Sequence, residues 1–132
     1  MKNKIHILDC GFGNIQSVKN ALDYLEVHNE ILDNLNNVAV QIAGNDPERL
    51  ALAAKKASGY GFNEININCG CPSKRVVAGK FGINLLLNPK LVSQCVAKIY
   101  DKISTQVSIK TRIGVDNYTS DFILDNFLSS IQ

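Results

Sequence analysis

The sequence predicts an α/β protein with four successive β-α units and a parallel sheet. Short apolar segments alternate with segments of helical periodicity, and capping residues precede three of those helical segments. Strands that alternate with helices favour a parallel sheet covered by helices. The chain has 132 residues, whereas a closed eight-stranded β/α barrel typically needs about 250. We therefore expect a single α/β domain over residues 1–132 rather than a complete barrel.

The first unit is a predicted strand at residues 5–9 followed by a helix. Gly11 and Gly13 form the predicted turn between them, and Asn14 is the predicted N-cap of the helix. Apolar residues then recur at helical spacing. The polar residues 33–37 form a predicted junction to the next unit.

The second unit begins with a predicted strand at residues 38–43. Asp46 is the predicted N-cap of its helix, and Pro47 suits the first helical position because a proline lacks the N–H that would be unpaired there. Gly59 and Gly61 mark the predicted end of that helix.

The third and fourth units follow a similar pattern. The third strand is predicted at residues 63–69, and a long loop separates it from a helix that begins at Asn88 and Pro89. The fourth strand is predicted at residues 107–111 and the last helix at residues 121–128.

The predicted strands in the second to fourth units have one apolar and one polar face. Side chains alternate between the two faces of a strand, so every second residue lies on the same face. Buried polar groups need partners, and the carboxyl ends of parallel strands are where α/β proteins place their chemistry. We therefore expect the polar face to line a ligand site, the alternative being a sheet half-exposed to water. Its members are Gln41, Glu64, Asn66, Asn68, Ser108, Lys110 and Arg112.

Composition favours a soluble cytoplasmic protein. Charged residues interrupt every apolar run before the ~20 residues of a membrane span, and the N-terminus lacks the pattern of a secretory signal. Four cysteines in a chain of this size are expected to be reduced thiols rather than a disulfide framework. We expect no metal site, because no C-x-x-C pair occurs and His6 and His28 lie far along the chain from Cys69 and Cys71.

One half of the chain is basic. Residues 65–100 contain no Asp or Glu, whereas five basic residues fall in that stretch: Lys74, Arg75, Lys80, Lys90 and Lys98. A basic surface attracts phosphates, either of a cofactor or of a nucleic acid, although scattered solvated lysines explain the charge equally well.

The loop after the third strand carries the candidate catalytic residue, Cys71. Gly70 and Pro72 flank it and are expected to fix a rigid elbow. An unperturbed thiol, with a pKa of ~8.5, is mostly protonated at neutral pH and can act as a general acid. Lys110 and Gln41, expected at matching heights on their strands, would suit a heterocycle such as a flavin, although many ligands would fit such groups.

Residues ~37–128 resemble the tRNA-dihydrouridine synthases, most closely the A type. The resemblance rests on four segments: V-A-V-Q-I-A-G-N-D-P from Val38, N-I-N-C-G-C-P-S from Asn66, Gly79 to Leu86, and V-S-I-K-T-R-I-G from Val107. It implies a β/α barrel fold and an FMN-dependent enzyme. Such an enzyme reduces the 5,6 double bond of uridine in tRNA, and NADPH reduces its flavin.

The same resemblance implies roles for four residues. Cys71 would protonate uracil C5, Asn68 would contact the target base, and Gln41 and Lys110 would hold the flavin ring. The substrate base would have to be turned out of its helix, as enzymes acting on stacked bases require.

Residues ~1–31 resemble a different family. I-H-I-L-D-C-G-F-G-N from Ile5, with the helix that follows, is similar to the start of the glutamine amidotransferase subunit of imidazole glycerol phosphate synthase. That subunit's nucleophilic Cys, and its His and Glu, have no counterpart here, so glutaminase activity is not supported. The resemblances imply a composite: an amidotransferase-like unit and junction over 1–36, and a synthase-like barrel fragment over 37–132.

Several alternatives remain for fold and function. The β-α units suit a partial (half) TIM barrel or a flavodoxin-like sheet, and open sheet edges would allow a homodimer. The synthase's first barrel strand, its later strands and its helical tRNA-binding domain have no counterpart in this sequence. A non-catalytic structural or chimeric fragment is therefore the main functional alternative, with the amidotransferase subunit as a third.

Overall fold

A computed structural model describes residues 4–9, 14–32, 34–35, 38–114 and 121–131, without the side chains of 121 and 122. The chain divides into two compact units, Met1–Leu35 and Asn36–Gln132.

The first unit contains two parallel strands and one helix. Its elements are β1 (Ile5–Leu8), α1 (Ile15–Tyr24) and β2 (Asn29–Leu32), with Ile5 opposite Asn29 in the strand pairing. The predicted cap of α1 is confirmed, because the Asn14 side-chain oxygen accepts the Ser17 N–H at 3.0 Å. The predicted turn at Gly11 and Gly13 lies outside the described residues.

Strand β2 is absent from the sequence prediction. Its segment has only two apolar residues, Ile31 and Leu32, which is too few for a period-two pattern. The strand forms because it pairs with β1. The pairing begins where the Ile5 N–H donates to the His28 carbonyl at 2.9 Å.

The second unit contains a three-stranded parallel sheet. Its strands are β3 (Ala39–Ile42), β4 (Glu64–Cys69) and β5 (Gln106–Thr111), and they pair in the order β3-β4-β5. The described strands thus form two separate parallel sheets and no closed barrel, so the prediction of one sheet shared by four β-α units is wrong. The parallel α/β architecture is confirmed. The helices of the second unit are α2 (Pro47–Gly59), between β3 and β4; α3 (Lys74–Ala78), α4 (Ile83–Leu86) and α5 (Pro89–Tyr100), between β4 and β5; and α6 (Asp121–Ile131), after β5.

Local signals explain where the two longest described helices, α2 and α5, begin and where α2 ends. The Asp46 carboxylate accepts the Arg49 N–H at 2.9 Å at the start of α2, and the Asn88 side chain accepts the Leu91 N–H at 3.3 Å at the start of α5. Gly61 follows α2 with a φ of +91°, a conformation that glycine adopts without a steric cost. These predicted boundaries are confirmed.

The core lies on the apolar face of the three-stranded sheet. Ile65, Ile67 and Cys69 alternate along β4 and are fully buried, whereas Glu64, Asn66 and Asn68 between them are only half-buried. Helices α2, α4, α5 and α6 complete this core, with buried side chains that include Leu50, Ala54, Leu85, Val92, Ile99 and Phe127. The predicted apolar and polar alternation is therefore confirmed.

Candidate active site

The polar face of the three-stranded sheet consists of Gln41, Glu64, Asn66, Asn68, Ser108 and Lys110. Strand pairing places Gln41, Asn66 and Ser108 side by side across β3, β4 and β5. Asn68 lies opposite Lys110, one step nearer the carboxyl end. The expectation that Gln41 and Lys110 share one height is wrong, because the parallel register aligns Gln41 with Ser108.

A hydrogen-bond chain connects this face, with all its donors pointing the same way. Ser108 donates to the Glu64 carboxylate, and Asn66 donates to the Ser108 hydroxyl at 2.7 Å. Gln41 donates to the Asn66 side-chain oxygen at 2.6 Å, and Asn68 donates to the Gln41 side-chain oxygen at 2.9 Å. Because a carboxylate only accepts, Glu64 fixes which end of each carboxamide donates.

The chain of hydrogen bonds continues into the loop of residues 70–73, here called the Cys71 loop. The Asn68 side-chain oxygen accepts the backbone N–H groups of Gly70 at 3.1 Å and of Cys71 at 3.0 Å. The Cys71 carbonyl accepts the Ile83 N–H at 3.1 Å. The backbone of the candidate proton donor is thus held on both sides.

Glycine is required where the chain returns to Cys71. Gly82 has a φ of +59°, and a Cβ there would lie 2.7 Å from the Cys71 carbonyl oxygen and 2.3 Å from Val76 Cγ1. The two short helices α3 and α4, neither of which the sequence predicts, place this glycine beneath Cys71.

The Cys71 thiol is half-buried and has polar neighbours. Its Sγ lies 3.6 Å from the Ser73 hydroxyl oxygen. Backbone and side-chain hydrogen bonds from Ser73 lower the thiol's pKa below its usual value, and the positive charges of Arg112 and Lys110 contribute in the same direction. The sequence alone suggests an unperturbed thiol. A lowered pKa brings the acid closer to neutral pH, which favours proton transfer.

Arg112 follows β5 and also contacts the Cys71 loop. Its Nε donates to the Gly70 carbonyl at 2.7 Å. The sequence pattern places Arg112, Asn66 and Ser108 on the polar face without giving them a role. Their contacts depend on strand register, which the alternation of side chains alone does not determine.

The two expected cofactor contacts, Gln41 and Lys110, have polar groups available for a ligand. Gln41 and Lys110 are exposed on the same face of the sheet. Gln41 uses one of its two N–H groups and one oxygen lone pair in the chain, so each end of the carboxamide retains capacity toward a heterocycle edge. The Lys110 ammonium adds a cation for an electron-rich ring or an anion.

A cavity of about 300 Å³ lies beside this site. The turn between β3 and α2 lines it together with Gly79 and Phe81, and neither Gln41 nor Cys71 contributes to its wall. At its rim the Asn45 side chain donates to the carbonyls of Gly79 and Lys80, both at 3.2 Å. The contact ties the segment after α3 to the carboxyl end of β3.

Comparison with known proteins identifies the family. The sequence profile of the dihydrouridine synthase (Dus) family matches residues 15–127. The chain belongs to the dihydrouridine synthase family. The family match begins at residue 15 and so includes α1, which lies in the segment that we expected to be amidotransferase-like.

Curated relatives of this synthase family agree. The chain is 45% identical over 94 residues to a tRNA-dihydrouridine(20/20a) synthase of Vibrio parahaemolyticus, covering 71% of this chain and 29% of that protein. It is 46% identical over 94 residues to the proteins of the same name from Salmonella typhi and Escherichia coli K12, covering 28% and 27% of their lengths. The match therefore spans less than a third of each relative.

The described residues of this family member include an exposed basic group near the Cys71 loop. Lys74 and Arg75 lie in α3, directly after the loop, and Lys80 follows that helix.

Across the described ranges, no helix is long and apolar enough to cross a membrane.

Proposed function

We propose that the polar face and the Cys71 loop serve the FMN-dependent reduction of uridine to 5,6-dihydrouridine in tRNA. The observation that supports this proposal is the continuous set of hydrogen bonds joining Gln41, Asn68 and the Cys71 backbone. It connects a group suited to a heterocycle edge with a thiol suited to donate a proton.

In this proposal, Cys71 acts as the general acid. FMN, when bound and reduced by NADPH, supplies the hydride for uracil C6. The Cys71 S–H bond breaks as a C–H bond forms at C5, so the two added hydrogens saturate the double bond. The thiolate that remains is stabilised by Ser73 and by the charges of Arg112 and Lys110, and it regains its proton from solvent.

Asn68 is the proposed contact to the base. Its oxygen is engaged by the Cys71 loop and one of its N–H groups by Gln41, which leaves the second N–H for a uracil carbonyl. Gln41 and Lys110 are the proposed flavin contacts. The orientation of Asn68 is set by its neighbours before substrate binds, which favours catalysis.

The proposed partner is tRNA, with its target base turned out of the helix. Lys74, Arg75 and Lys80 are exposed and suited to backbone phosphates. A cytoplasmic location, where thiols stay reduced, is part of the same proposal. We further propose that the chain is a composite, in which residues 1–36 derive from an amidotransferase-like unit and residues 37–132 from a synthase barrel.

One observation favours a non-catalytic alternative. Among the described strands, β3 and β5 are the outer strands of an open sheet, and no barrel closes around the polar face. Such edges expose backbone groups that a neighbouring strand would pair, and a homodimer through these edges is the proposed way to satisfy them. Sedimentation of the purified chain tests the dimer, and a monomer at all concentrations contradicts it.

Flavin binding and tRNA reduction test the proposed function. Purified chain is titrated with FMN, and a perturbed flavin absorbance is expected. NADPH and unmodified tRNA are then added, and dihydrouridine is measured by mass spectrometry. Cys71→Ala should preserve flavin reduction by NADPH and lower dihydrouridine formation by about 10²-fold or more. Absence of FMN binding at high micromolar concentration would favour the non-catalytic alternative, and equal loss of both steps would contradict Cys71 as the acid.

A further inference from the structure

The side chain of Arg112, at the end of the neighbouring strand β5, holds the Cys71 loop. Arg112 stands one residue beyond the last residue of β5, and its Nε donates to the buried Gly70 carbonyl at 2.7 Å. Gly70 immediately precedes Cys71, so this hydrogen bond fixes the peptide group from which the thiol-bearing residue begins.

The Arg112 side chain also packs against the loop. A Cβ placed on Gly70 would lie 3.3 Å from Arg112 Cγ, tighter than ordinary van der Waals contact. The alkyl stem of Arg112 therefore lies directly over the Gly70 backbone. Asn68 and Ile83 hold the loop through the Cys71 N–H and C=O groups, so Arg112 adds a third attachment from a different strand.

The contact depends on the shape of arginine rather than on its charge alone. Nε is the fourth atom of the side chain counting from Cβ, whereas the first donor of lysine is one atom further out, on a mobile ammonium. Lys110, two residues earlier on β5, provides a nearby positive charge without a hydrogen bond to Gly70.

We propose that Arg112 is a positioning residue that holds the Gly70 peptide, and with it the Cys71 thiol, against the end of β5. This proposal rests on the proposed function, in which Cys71 donates the proton to uracil. Arg112 acts through Gly70 and need not touch the reacting atoms.

Three substitutions separate the donor from the charge. Arg112→Gln places an N–H at the position of Nε and removes the charge. Arg112→Lys keeps the charge and removes the donor at that position, and Arg112→Met removes both. Lys110→Met is the matched control, because it removes a charge from the same strand without changing a contact to Gly70.

Amide hydrogen exchange of the purified chain, resolved to the peptide that contains Gly70 and Cys71, is the primary measurement. We expect exchange in this peptide to accelerate about tenfold in Arg112→Lys and Arg112→Met, the usual effect of losing one hydrogen bond. Arg112→Gln and Lys110→Met should exchange as the unsubstituted chain does. Native exchange in Arg112→Lys, or equal acceleration in Arg112→Gln and Arg112→Met, would overturn the proposal.

The dihydrouridine assay provides a separate readout. Where the unsubstituted chain is active, Arg112→Lys should lower product formation while FMN affinity is retained. Arg112→Gln, which keeps the donor and loses the charge, should retain more activity than Arg112→Met, which loses both. An inactive chain would contradict the proposed function. The exchange measurement would still decide whether Arg112 holds the loop, because it requires neither flavin nor tRNA.

Discussion

The side-chain oxygen of Asn68 accepts the backbone N–H of Cys71 at 3.0 Å. The same carboxamide donates to Gln41 on the adjacent strand at 2.9 Å. Asn68 therefore joins the proposed flavin-contacting residue to the loop that carries the thiol, and it does so with both ends of one short side chain.

Asn68→Ala should destabilise the protein more than Asn68→Asp. Alanine leaves the Gly70 and Cys71 N–H groups without their acceptor, at a cost of about 1–3 kcal/mol, whereas aspartate retains an oxygen that accepts both. Urea unfolding measures the difference. Equal losses of unfolding free energy in the two variants would show that the bonds to the loop are not what Asn68 contributes.

The hydrogen-bond chain across the sheet predicts an effect far from the thiol. Ser108→Ala removes the acceptor of Asn66 and the donor to Glu64. We expect a loss of about 1–2 kcal/mol in unfolding free energy and weaker FMN binding, because the Gln41 carboxamide is no longer oriented through Asn66. The exposed Ser104→Ala is the control, and identical behaviour of the two variants would contradict the prediction.

The reactivity of Cys71 should depend on Ser73. Ser73→Ala removes the side-chain hydrogen bond that lowers the thiol pKa, while the backbone hydrogen bond from the same residue is retained. The pH midpoint of Cys71 alkylation should therefore rise, and the alkylation rate at neutral pH should fall. Peptide-resolved mass spectrometry follows Cys71 separately from the other thiols, with the exposed Ser129→Ala as control. An unchanged midpoint would assign the lowered pKa to other groups.

Local features of the sequence predict where helices α1, α2 and α5 begin. The elements that the sequence does not predict depend on contacts between residues that are far apart in the chain. Asn14, Asp46 and Asn88 cap helices through contacts within three residues, so their effect is readable along the chain. Strand β2 depends on a partner more than twenty residues away, and the short helices α3 and α4 are held partly by contacts such as that of Ile83 with Cys71.

The candidate site divides in the same way. The polar face was predictable because side chains on a strand alternate. The alignment of Gln41 with Ser108 rather than with Lys110 was not, since register depends on strand pairing. The bond from Arg112 to Gly70 needs both the register and the path of the Cys71 loop.

Burial of Cys69 predicts a loss of stability at alkaline pH. Burial, with a smaller contribution from Cys95, raises the pKa of Cys69 to about 12 from 9.0. The folded state keeps this proton where the unfolded state releases it. Its contribution to stability is therefore complete below pH 9 and decreases by up to about 1.4 kcal/mol per pH unit until about 12. Cys69→Ala should be less stable at pH 7, because it leaves a small cavity, and should lose less further stability between pH 9 and 11. Parallel stability curves for the two proteins would contradict the shift.

Two glycines of the second unit should respond oppositely to alanine. At Gly82 the φ of +59° and the approach of a Cβ to Val76 and to the Cys71 carbonyl oxygen leave no room for a side chain. We expect Gly82→Ala to cost about 2–5 kcal/mol, from the left-handed backbone and from overpacking, and to accelerate hydrogen exchange in the Cys71 loop. Gly59 is the last residue of α2, and a Cβ there would have no other atom within 4 Å, so Gly59→Ala should be neutral or stabilise by about 0.5–1 kcal/mol. Urea unfolding of both variants checks the contrast, and a Gly82→Ala protein as stable as Gly59→Ala would show that the segment beneath Cys71 yields without cost.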